Sequence, residues 1–165
     1  MKHVQHGVSL IEVLVAILII SVGLLGVASL QSLSLSEGVS SYFNTRAQMA
    51  TNDIIDRIIA NRKQATTGDY ADPIPAAKPA PDCDTLSCTP TEIVTHDLWQ
   101  VFDNINSSNS LPQSALNITY DNILSEYSIA LTWDASGNGD SYIPPSCSIG
   151  NTIANGCMHT TMRLQ

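Results

Sequence analysis

Glu12 stands where the chain turns from polar to apolar. From Val13 to Ser36 there are 24 residues without a charge. As a helix that is roughly 36 Å, enough to cross a bilayer. An ionisable group at the edge of such a span is expensive and calls for a specific partner. Surrounded by apolar groups alone, Glu12 would take up a proton; paired with a cation it can stay charged. Gly7 is a candidate cleavage point, and it lies before the apolar run. Cutting there would keep the helix and create a new amino terminus at Val8. A secretory signal peptide has a shorter apolar core that ends at its cleavage site, so it explains this order poorly.

The other residues that could do chemistry are few. Four cysteines fall in two local pairs, Cys83/Cys88 and Cys147/Cys157, all beyond the apolar stretch. Such pairs suit disulfides in an oxidising space such as the periplasm, and proximity suggests this connectivity. Zinc is the rival reading, but neither pair has the two-residue spacing of zinc ribbons and knuckles. His96 is expected on the surface rather than as a ligand or base. His159 falls in an alternating stretch without an obvious acid partner. Asp134, Ser136, Asn138 and Gly139 match the first, third, fifth and sixth positions of a calcium loop, but Pro145 occupies the acidic twelfth position. A Gly/Asn turn is the better reading of that segment. Asn106-Ser107-Ser108 and Asn117-Ile118-Thr119 fit a glycosylation sequon that is common by chance. The chain has no nucleophile elbow, no phosphate-binding glycine loop and no paired-histidine zinc helix, so no catalytic residue, metal site or cofactor is expected.

These residues need elements to hold them. The chain has 165 residues and a formal net charge of −8, which fits one domain plus an anchor and argues against a generic binder of nucleic-acid phosphates. Aromatics are only 5%, so the core must be aliphatic. Lys2 is the one fixed side-chain charge before the span, and it orients the amino terminus to the cytoplasm. Beyond Ser36 the helical pattern continues. Phe43, Ala47, Ala50, Ile54 and Ile58 recur on one face, widened by Met49, Ile55 and Ile59. No proline occurs between Val8 and Ala65, so one helix is expected to about Lys63, ending in an exposed, charged last turn. Gly23 and Gly26, with Ser29, are either tolerated or a surface for close helix packing. Residues 64–90 are proline-rich and read as a loop, either a stapled surface feature or a subunit contact. Thr91 is expected to cap a second helix, about Glu92 to Asn104. Leu116–Tyr120, Tyr127–Trp133 and Cys157–Leu164 alternate as strands, with a hairpin over Asp121–Ser125 and Trp133 in the core.

The residues Gly7, Ser9, Leu10, Ile11 and Glu12 resemble the opening of type IV prepilins, whose leader ends in Gly before a Phe-Thr-Leu-Ile-Glu-like run. Val8 departs from the usual Phe. The resemblance implies that a membrane prepilin peptidase cuts between Gly7 and Val8 and N-methylates Val8. It also implies that Glu12 faces the terminal amine of a neighbouring subunit. That amine has a reference pKa of about 7.7–8.0 and methylation keeps its charge, so the pairing is physically sound. Asp56-Arg57-Ile58-Ile59-Ala60-Asn61-Arg62, and then Asp97 and Trp99 before Leu111-Pro112, are similar to PilV-type minor pilins of the type IV pilus modification family.

The resulting expectation is an α+β, type IV pilin-like chain. It comprises a leader (1–7), a transmembrane or filament-core helix (8–36), the amphipathic half of the same helix (37–63), and a periplasmic head (64–165) with a small antiparallel sheet and disulfide-closed loops. The resemblance implies a structural, non-enzymatic subunit that primes pilus assembly and so serves twitching motility or adhesion. Its partners would be other minor pilins, the major pilin, the inner membrane of a Gram-negative-type envelope and a pilus-tip adhesin. A minor pseudopilin of type II secretion, GspI-type, stays open, as does an anchored periplasmic binding module that never assembles. A DNA-uptake pilin would want a basic patch, whereas Arg46, Arg57, Arg62 and Lys63 lie mostly on the long helix.

Overall fold

The computed structural model describes residues 9–107, 110–135, 147 and 156–164. Helix α1 spans Leu10–Ala60, α2 Arg62–Ala65 and α3 Pro90–Asn106, with a 3-10 turn at Asp69–Ala71 between α2 and α3. Strands β1 (Ala115–Asp121), β2 (Glu126–Thr132) and β3 (Cys157–Arg163) follow. The chain divides into two units, Met1–Ser40 and Ser41–Gln165.

In the first unit, the described residues form the start of α1. Its large apolar side chains, from Leu10 to Val39, are all exposed. It is long and apolar enough to cross a membrane. An added Cβ at Gly23, Gly26 or Gly38 would meet nothing within 4 Å, so no contact inside this chain requires a glycine there.

The second unit is the predicted α+β body. β1, β2 and β3 form one antiparallel sheet in that order. Ile118 pairs with Ile129, and Ile129 with Thr160; two residues along, Leu131 pairs with Met158. The connection between β1 and β2 is closed by Asp121, whose Oδ1 accepts from the amides of Ile123 (2.8 Å) and Leu124 (3.1 Å). On β2, alternate residues Tyr127, Ile129 and Leu131 are buried, as the period of two demands. They join Phe43, Ala47, Ile54 and Ile58 of α1 and Val94, Leu98, Val101 and Ile105 of α3 in one core, with Trp133. The aliphatic stripes read from the sequence are therefore the packing faces. Met49 and Ile59, expected to widen the α1 stripe, are exposed. Thr51 is buried in their stead and its hydroxyl donates to Met158 Sδ at 3.4 Å.

Three local expectations change. The long helix ends at Ala60, not near Lys63: Asn61 leaves the helical region and donates to Pro90 O at 2.8 Å, and a separate turn begins at Arg62. The second helix starts two residues earlier than expected. Its cap is Thr89, not Thr91: Glu92 N donates to Thr89 Oγ1 (3.4 Å) and Thr89 N to Glu92 Oε2 (2.7 Å), a reciprocal capping box, with Pro90 at the first helical position. Finally, the 64–90 segment is not wholly irregular. At Gly68, φ is +88° and a Cβ would come within 2.7 Å of Tyr120 Cδ1. Only glycine fits both the left-handed backbone and that approach. Nearby, Tyr120 and Tyr127 donate to Thr66 O (3.2 Å) and Ala65 O (2.8 Å).

Candidate functional site

At the start of α1 the carbonyl of Ser9 accepts from Glu12 N (3.0 Å) and Val13 N (3.3 Å), so Ser9 sits at the cap position. Glu12 is in the first turn, near the positive end of the helix dipole, which favours a carboxylate there. It is exposed, as are the apolar residues that follow it. Gly7 and Val8 lie outside the described residues. The described part of this site thus presents one acid on the first turn of an unpaired apolar helix.

The second unit has its own polar centre, which the sequence did not announce. Arg57 donates from Nε to Asp53 Oδ1 (2.9 Å) and from Nη1 to Asp97 Oδ1 (2.7 Å). Tyr70, fully buried, donates to Asp97 Oδ2 (2.8 Å). Arg57 was expected in an exposed last turn; it is instead half-buried, because α3 brings Asp97 against it. Burial pulls the guanidinium down, but hydrogen bonds and charge from Asp53 and Asp97 outweigh it and hold Arg57 above its ordinary value. Burial, then the Asp97 hydrogen bond and charge, push the Tyr70 phenol well up. The arrangement fixes the end of α1 to α3 and to the 3-10 turn. Its groups are committed to one another, so it is a structural brace.

His96 is also misplaced by the sequence reading. It is 5% exposed rather than on the surface. The stripe Val94, Leu98, Val101 was legible, but His96 and Asp97 are buried by the loop and by Arg57, which periodicity does not reveal. His96 Nε2 lies 3.4 Å from Asp84 Oδ2 and 3.8 Å from Asp82 Oδ1, yet makes no hydrogen bond among the described residues. Those two acids flank Cys83, which is joined to Cys88 across a Cα–Cα distance of 5.6 Å. Cys147 and Cys157 are joined at the same separation.

His159 has a neighbour after all: its Nε2 is 2.7 Å from Ser128 Oγ. Both stand on one sheet face, with Asn117, Thr119 and Ala130. Among the described residues no carboxylate pairs with His159. Asp134, the first residue of the candidate calcium loop, is buried, and its amide donates to Pro112 O at 2.8 Å. Residues 136–140, which carry the rest of that loop, lie outside the described residues.

No curated protein and no solved structure matches the chain. The family model described as the prokaryotic N-terminal methylation motif matches residues 2–28. That match spans Gly7, Val8, Glu12 and the first part of the exposed apolar helix, so the amino-terminal segment is prepilin-like, of the kind processed by a prepilin peptidase.

Proposed function

We propose that the chain is a minor pilin, a PilV-type structural subunit that primes assembly of a type IV pilus. The observation that carries this reading is the methylation-motif match over residues 2–28 on a helix whose apolar residues are exposed. Such a surface is stable only in lipid or against other helices. The prepilin peptidase cuts between Gly7 and Val8 and methylates Val8. The leader and Val8 start in the cytoplasm and the head stands in the periplasm. On extraction from the inner membrane the helix exchanges lipid for neighbouring pilin helices. Glu12 and the Val8 amine of the adjacent subunit then set the axial register by charge pairing. The head supplies the partner-specific surface for other minor pilins, the major pilin or a tip adhesin, and it carries no catalytic role.

Mass spectrometry of the chain purified from its own membranes tests this. The reading expects an amino terminus at Val8 carrying one methyl group. An intact Met1 would mean an anchored periplasmic module instead. Deletion separates the two assembly systems: loss of pili with secretion intact supports the pilin, and lost secretion with normal pili supports a type II pseudopilin.

A further inference from the structure

We propose that Asp82, Asp84 and His96 form a binding site for a divalent transition metal, zinc by preference. One oxygen of each acid and a ring nitrogen of His96 lie within 4.8 Å of one another. The imidazole carries the argument. His96 is 5% exposed, and its Nε2 is buried, has no hydrogen bond among the described residues and lies within 4 Å of both carboxylates. A buried ring nitrogen without a hydrogen bond is uncommon, and here two carboxylate oxygens lie at 3.4 Å and 3.8 Å from it. Tetrahedral zinc with ligands at about 2.0–2.2 Å has ligand–ligand edges of about 3.4 Å. The observed 3.4 Å and 3.8 Å separations from Nε2 are already close to that edge.

The loop that carries the acids is held in place. Cys83 lies between them and is bonded to Cys88. Asp82 O accepts from Thr85 N and Leu86 N, and Asp82 Oδ1 from Asp84 N. One nitrogen and two carboxylate oxygens suit zinc, cobalt or nickel better than calcium or magnesium, which prefer oxygen alone. In the structure the cation beside these acids is Lys78, whose Nζ is 2.7 Å from Asp82 Oδ2 and 3.4 Å from Asp84 Oδ2. Lys78 does not approach His96 with an acceptor, since an ammonium has none. An ion pair between Lys78 and the acids therefore leaves the histidine unused, whereas a metal uses all three groups. The ammonium and the metal compete for Asp84 Oδ2, and on Asp82 the ammonium holds Oδ2 while Oδ1 is the oxygen that faces His96. Metal binding would tie the disulfide loop to α3 and fix that part of the head surface.

The test is zinc titration of the full chain in detergent micelles, by calorimetry, with cobalt as an optical probe. Trp99 is a built-in reporter: its ring is 5.8 Å from that of His96 and 5.5 Å from Lys78 Nζ. The expected result is one saturable zinc per chain in the micromolar range, with cobalt quenching Trp99 fluorescence. D84N, at an exposed position that leaves the core intact, should weaken binding by at least the about 10-fold that losing even an outer-shell partner costs, and H96N at least as much. K78M should tighten it by removing the competitor. W99F should remove the quench and leave zinc affinity unchanged. No saturable zinc binding overturns the proposal, as does binding unaltered in both D84N and H96N. Calcium binding as tight as zinc overturns the assignment of the imidazole as a ligand.

Discussion

Asp97 takes hydrogen bonds from Arg57 at 2.7 Å and Tyr70 at 2.8 Å, and it is buried. Truncating it removes the closer of the two carboxylates on Arg57 and the shorter of the two Tyr70 hydrogen bonds, leaving Asp53 on the guanidinium and Arg57 O for the phenol. D97A should therefore cost about 2–4 kcal/mol, read from the shift in urea midpoint. Asp53 touches the same guanidinium at 2.9 Å but its side chain is 41% exposed, so D53A should cost under about 1 kcal/mol. Equal losses for the two variants would refute the brace. A second residue gives a pH signature. Tyr127 is fully buried and its phenol is pushed up to about 12, mainly by burial. Unfolded, a tyrosine ionises near 10. Between those values the unfolded chain holds fewer protons than the folded one, so stability must fall as pH rises. The loss begins near pH 10, is complete above about 12, and is on the order of 2 kcal/mol. Y127F should flatten that part of the profile, although it also loses the 2.8 Å bond to Ala65 O and some stability at neutral pH. A parallel alkaline decline in both proteins would assign the effect elsewhere, Tyr70 first.

At the scale of elements, what the sequence made legible was periodic. The stripe Phe43, Ala47, Ile54, Ile58 and the alternation around Ile129 each encode one buried face, and a buried face is a local pattern. What it hid depended on contacts distant in sequence. Arg57 is paired across 40 residues to Asp97, and His96 is covered by the segment around Asp82 and Asp84. No period marks such meetings, so both residues read as surface. The start of α3 was misjudged for a different reason: the signal was present but competed. Thr89-Pro90-Thr91-Glu92 offers two threonines as caps, and the reciprocal bond to Glu92 selects the first. Glu92 is held below its ordinary value by its hydrogen bonds from Thr89. Thr89→Ala should then lower the unfolding free energy by about 1 kcal/mol, while Thr91→Ala should change it by no more than a few tenths. Thermal melts of both variants decide between the caps, and a larger effect at Thr91 would return the helix start to the later position.

For the whole molecule the question is why an acid stands at the start of an apolar helix. Glu12 lies in the first turn of α1, at the positive end of the helix dipole, where an acidic residue is favourable. That local benefit belongs to the isolated chain and would be retained in any membrane anchor. The proposed pairing with the Val8 amine of another subunit belongs only to an assembly. The two explanations separate under substitution. Glu12→Gln keeps the size and the hydrogen-bonding ends and removes the charge. As an anchor alone, the variant helix remains apolar, spans as before and fills the membrane at the normal level. As a filament subunit, it loses the charge that sets its axial register, because an amide offers the neighbouring amine no opposite charge. The expected outcome is an unchanged amount of processed protein in the inner membrane, with a loss of pili or of the subunit from sheared pili. Immunoblots of membrane and sheared fractions measure both. Normal incorporation of the Glu12→Gln chain would show that the carboxylate serves the helix terminus only, and the assembly role would have to rest on the packing of the exposed face from Leu10 to Leu35.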